Sequence, residues 1–105
     1  MKLVMLLYLE DDHTLVADLL AHHGVRAYSR LPVEGHGEGT ASGWYARVAP
    51  FRSQMIVALV PADLAAELLE AVRAIEEVHD PRHPVHASVF DVEAAAHSGG
   101  DALQA

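Results

Sequence analysis

Apolar residues run without a break from Leu3 to Leu9 and stop at Glu10-Asp11-Asp12. An unbroken run of that length predicts a strand over 2–9, buried on both faces and central in its sheet. The period then changes. Leu15, Val16, Leu19 and Leu20 recur at helical spacing. Asp11 or Asp12 is placed to cap that helix by accepting backbone N–H bonds, and Gly24 to end it just past the last turn. Residues 25–33 read as a second strand, which Pro32 confines to an edge or a bulge. A long connection follows, and then "MIVALV", 55–60, as a third strand. Pro61 and Asp63 open a second helix. Leu64, Leu68, Leu69, Val72 and Ile75 share one of its faces, and Glu67, Glu70, Glu76 and Glu77 lie largely on the other. "HDPRHP", 79–84, reads as a loop and 85–92 as a fourth strand. The tail, 94–105, is alanine, glycine and polar residues, flexible or a short helix.

The order strand, helix, strand, strand, helix, strand is the split βαβ pattern. It predicts an α+β, ferredoxin-like βαββαβ domain with a four-stranded antiparallel sheet and two helices on one face. The first and third strands are apolar on both sides, so the other sheet face wants a cover. An open apolar face marks an interface, and a symmetric oligomer is the expected way to close it.

Composition narrows the function classes. A chain of 105 residues allows one domain with a modest core. Cysteine is absent, which removes disulfides, thiolate chemistry and cysteine-ligated zinc. The net charge is −8, with Lys2 and six arginines as the only fixed cations. No basic cluster exists to meet phosphates, so nucleic acid is not an expected partner. The apolar run at the start is too short to span a bilayer. A cytoplasmic protein without membrane insertion is the expectation.

Two stretches hold candidate chemistry. In "VEGHGEG", 33–39, three glycines alternate with Glu34, His36 and Glu38. Glycine permits positive φ and close backbone approach, so the stretch is a mobile turn or a cradle for a ligand. In "HDPRHPVH", 79–86, His79, His83 and His86 accompany Arg82. Neutral imidazoles suit zinc, copper, nickel or iron, although Pro81 and Pro84 break any helical pairing of ligands. Such histidines are equally ordinary in a polar loop. His22 and His23 fit the negative end of the first helix dipole, and Glu10, Asp11 and Asp12 its positive end. Trp44, Tyr45 and Phe51 lie in the long connection, where aromatics serve as interface anchors or pack on the loop's own base. Catalytic motifs are missing: there is no Gly-x-Ser-x-Gly elbow and no P-loop.

These pieces resemble, in order and spacing, the PII family of signalling proteins in its divergent PII-like branch. "MKLVMLLYL" is similar to the family's first strand and "VEGHG" to the hydrophobic-x-Gly-x-Gly step at the base of its T-loop. "MIVALVPADL" is similar to its third strand running into helix two, and "VFDVE", 89–93, to its fourth strand. The resemblance covers about 1–93, a PII-like domain with a T-loop-like connection at about 38–53.

The resemblance implies a homotrimer whose three sheets line a central core. It implies ligand clefts between subunits, each between one T-loop base and the neighbouring segment before strand four. Gly35, His36, Gly37, Glu38 and Arg82 are then the ligand-binding positions, with an adenine nucleotide as candidate ligand. The loop carrying Trp44, Tyr45 and Phe51 would meet a protein partner. The departures are definite. Glu38 stands where the family has a basic residue, and the 79–86 segment has no glycine and only Arg82 as a cation. Triphosphate without cations is costly to desolvate, so a less charged nucleotide, another small ligand or a divalent metal stays open. The expected function is a regulatory protein that binds a small ligand between subunits. The alternatives are a divalent heavy-metal-binding or metal-tolerance trimer using His36, His79, His83 and His86, and a small enzyme on a ferredoxin-like scaffold.

Overall fold

The computed structural model describes residues 1–35 and 51–100, with Phe51 as backbone only. Strand β1 spans Lys2–Leu9, and a single 3-10 turn, Glu10–Asp12, leads into helix α1, His13–His22. Strands β2, Ser29–Gly35, and β3, Phe51–Val60, flank the long connection. Helix α2, Ala62–Arg73, and strand β4, His86–Asp91, complete the fold. The four strands form one sheet in the order β2-β3-β1-β4, and every neighbouring pair is antiparallel. This is the ferredoxin-like βαββαβ arrangement the apolar pattern predicts.

Alternate positions of the central strands face the helices. Val4, Leu6 and Tyr8 of β1 and Ile56, Ala58 and Val60 of β3 are buried in one cluster with Val16 and Leu20 of α1 and Ala65 and Leu68 of α2. The opposite face is also apolar. Leu3 pairs across the sheet with both Leu59 and Phe90, Met5 with Val57, and Met55 with both Leu7 and Leu31. Directly opposed residues share a face, and no element of the described chain covers this one. Leu31, Leu59 and Phe90 are 41%, 43% and 45% exposed.

Element boundaries moved where backbone hydrogen bonding overrode local pattern. The N–H of Val25 donates to the Leu20 carbonyl at 2.9 Å and that of Gly24 to Ala21 at 3.0 Å. Gly24 has φ +78°, so α1 closes in a Schellman motif. Val25 is thereby committed to the helix end, and β2 begins at Ser29 rather than Val25. In β3 the polar Arg52, Ser53 and Gln54 extend the strand past its apolar core, because β2 supplies ladder partners as far as the Gly35–Phe51 pair. Pro32 sits on edge strand β2, as its missing N–H requires. Helix α2 stops at Arg73, so Ile75, Glu76 and Glu77 follow it. Residues 94–100 contain no helix.

Candidate functional site

Antiparallel register brings the two candidate stretches to the same end of the sheet. Gly35 and Phe51 pair at the base of the long connection, Leu9 pairs with Ser53, and Leu7 pairs with His86 at the start of β4. The 36–50 connection and the 79–85 segment therefore leave the sheet at the end where β1 runs out. Strands β3 and β1 lie between them. Gly35 is buried and extended in the ladder. Among the described residues, the glycines with positive φ are Gly24 and Gly99, so Gly35 is not required for its φ. His36, Gly37, Glu38, Trp44 and Tyr45 lie outside the described residues. Beside the base of the connection is a cavity of about 340 Å³ lined by Glu10, Pro32, Glu34, Arg52 and Gln54.

The 79–86 segment is tied down internally. Asp80 accepts the backbone N–H of Arg82 at 3.0 Å, and its carboxylate takes Arg82 Nε–H at 3.1 Å and Nη2–H at 3.0 Å. The hydrogen bond from the Arg82 guanidinium holds the Asp80 carboxyl down to about 2. The one cation of this segment is thus already matched by a carboxylate. His83 is buried, and its N–H donates to the Asp80 carbonyl at 2.8 Å. His86 is half-buried, and burial pushes its imidazole below the ordinary 6.5. It lines a cavity of about 360 Å³ with Leu69, Val72, Pro84 and Val85.

Asp12 anchors this segment from outside. It is buried, and its Oδ1 accepts the His79 N–H at 2.8 Å. Asp11 Oδ2 lies 3.3 Å from His79 Nε2. The expected capping role for these aspartates is not what the structure shows, since neither the 3-10 turn nor α1 has a side-chain cap bond. The carboxylates reach across to the loop instead. Similarly, His23 at the end of α1 is paired with Glu67 of α2 at 2.6 Å. Among the described residues no three His, Cys, Asp or Glu side chains come together to hold a metal ion. A site using His79, His83 or His86 would need donors from His36 or from a second chain.

Sequence reasoning missed a polar network on the helix-covered face. Tyr8 and Gln54 oppose one another on β1 and β3, and both are buried. They connect to His13 of α1 and Arg30 of β2. Strand parity was the available signal, because Tyr8 shares the parity of Leu6, and Gln54 that of Ile56.

Comparison with solved structures bears on the fold. CPII, a nitrogen regulatory PII-like protein from Thiomonas intermedia solved bound to ADP, AMP and bicarbonate, superposes with a TM-score of 0.63. It is 23% identical, and the match covers 87% of this chain and 88% of that one. A PII-like signaling protein from Thermus thermophilus matches with a TM-score of 0.62 at 19% identity, over 87% of this chain and 85% of that one. The chain has the PII-like fold. Its sequence matches no protein-family model and no curated protein, so the likeness is carried by three-dimensional arrangement at low identity. The 36–50 connection lies between β2 and β3, and the 79–85 segment precedes β4. Among the described residues no helix is long and apolar enough to cross a membrane.

Proposed function

We propose that this chain is a PII-like regulatory protein. It assembles as a homotrimer, binds a small ligand in clefts between subunits, and signals through the loop that starts at about 38 and ends where β3 begins at Phe51, short of the expected 53 because residues 51–53 pair in the sheet. The match in fold to CPII over most of both chains carries this reading. The uncovered apolar sheet face supports assembly, because exposed apolar surface of that extent is ordinarily buried against another chain. In a PII-like trimer the ligand would meet Gly35, His36, Gly37 and Glu38 of one subunit and Arg82 of its neighbour. Trp44 and Tyr45, with Phe51 at the β3 base of the loop, would present it to a protein partner, in the cytoplasm. Its role is then regulation rather than catalysis.

CPII was solved with ADP, AMP and bicarbonate, which makes these the first ligands to try on this chain. The Asp80–Arg82 pair supports the same choice. A cation already matched by a carboxylate offers little to triphosphate, whose charges are costly to desolvate. Thermal unfolding with AMP, ADP, ATP and bicarbonate tests the proposal. AMP or ADP at a hundred times its dissociation constant adds about 2.7 kcal/mol. The reading predicts that gain for AMP or ADP, its loss in Gly37→Val, and a smaller effect of ATP. A folded protein that shifts with none of the four contradicts it.

A further inference from the structure

Arg30 is an exposed residue of edge strand β2, on the face that the helices cover. Its guanidinium is held by two uncharged groups. Nε–H donates to Gln54 Oε1 at 3.0 Å, and Nη1–H donates to His13 Nε2 at 2.7 Å. Arginine has no acceptor, so His13 Nε2 must accept. A neutral imidazole then carries its proton on Nδ1 and donates it to Tyr8 Oη, 2.8 Å away. Tyr8 is fully buried and stacks on the His13 ring with centroids 5.9 Å apart. A chain of contacts therefore runs from the core through Tyr8 and His13 to a fixed guanidinium at the surface.

The charge balance at this position is unusual for the molecule. Lys2, Arg73 and Arg82 are each paired with a carboxylate. No carboxylate lies within ion-pair distance of Arg30 among the described residues, in a chain of net charge −8. Arg26 and Arg52 also lack an ion pair among the described residues, but no side-chain hydrogen bond fixes them there. Of the five guanidinium N–H groups of an arginine, Arg30 gives two to Gln54 and His13, which leaves three on an exposed residue whose donor fork those two bonds orient. Such a fork matches the oxygens of a carboxylate or phosphate. Glu10 lines the adjoining cavity together with Gln54, and its charge disfavours a bulky polyanion. We propose that Arg30, positioned by His13 and Gln54, is a binding site for a small oxyanion, the carboxylate or single phosphate group of a small molecule. The site needs one chain only and does not depend on the subunit clefts proposed above.

The test is an NMR titration of the full chain at about pH 7.5, where an ordinary histidine is mostly neutral. Inorganic phosphate and acetate are added separately at constant ionic strength, and the Arg30 Nε–H and His13 ring resonances are followed. Saturable shifts with phosphate alone identify a phosphate source, with acetate alone a carboxylate source, and with both a general oxyanion site. Each of these supports the proposal. Arg30→Gln should abolish saturation, and Arg30→Lys, which keeps charge but loses the fork, should weaken it about tenfold. His13→Gln keeps an acceptor for Arg30 and should bind better than His13→Ala at equal melting temperature. If Arg30→Gln does not fold, the lysine variant carries the same comparison. Shifts that never saturate with either anion, or saturable binding unchanged by substitution of Arg30, overturn the proposal.

Discussion

The two faces of the sheet are built from the same kinds of residue and end in different states. On one face Val4, Leu6, Ile56 and Val60 are almost wholly buried under two helices. On the other, Leu3, Met5, Leu7, Met55 and Val57 are half-buried, and Leu31, Leu59 and Phe90 are exposed. Because strand side chains alternate with period two, a continuous apolar run commits both faces at once. A single chain of this length has helices for only one. The comparison teaches that the covered face makes the fold, while the open face is left for the proposed assembly.

The largest expected effect separates those two roles. Leu59→Glu places a charge on the open face at a residue that is 43% exposed in the single chain. It should leave helix content unchanged and convert the assembly to monomer at micromolar concentration, read by light scattering. The converse change is Leu6→Ala on the covered face, where the side chain is 1% exposed. Truncating a core leucine should cost about 2–5 kcal/mol in urea unfolding. A loss of helix in Leu59→Glu, or a neutral Leu6→Ala, would break the distinction.

A smaller effect concerns the loop end of the covered face. Asp12→Ala removes the buried acceptor for the His79 N–H, and losing such a hydrogen bond costs about 0.5–1.5 kcal/mol. Faster amide hydrogen exchange at His79 should accompany it. Asp12→Asn keeps an acceptor and should cost less.

The smallest expected effect is on pH dependence. Burial, then the nearby Arg30 charge, lowers the His13 pKa, and burial lowers that of His86. Both fold with a pKa below the ordinary 6.5, so the unfolded chain takes up protons first as pH falls. The stability they contribute is intact above about 6.5 and is lost as pH falls below it through the lowered folded values. The urea midpoint should therefore be lower at about pH 5.5 than at about pH 7.5, and His13→Gln should flatten that difference. A midpoint that rises on acidification would contradict the neutral tautomer assigned to His13.

The fold was legible because long apolar runs and helical spacing are strong signals, and Gly24 and Pro32 stood where chain geometry needs them. The edges of elements were less so. Arg52, Ser53 and Gln54 look like loop until β2 supplies their ladder partners, and Val25 looks like strand until its N–H closes α1. At the candidate site, the residues of the 79–86 segment were visible as a group, but their fastening was not. Asp12 and His79 are far apart in sequence, and a cap is the local reading of an aspartate before a helix. The Tyr8–His13–Arg30–Gln54 network draws one residue from each of four elements, and no local pattern announces it.

The most direct test of the proposed assembly is the mass of the purified chain by light scattering at micromolar concentration. The proposed trimer gives the mass of three chains, falling to one in Leu59→Glu. A wild-type chain that stays monomeric with its apolar face open would contradict the proposed subunit clefts and the signalling built on them.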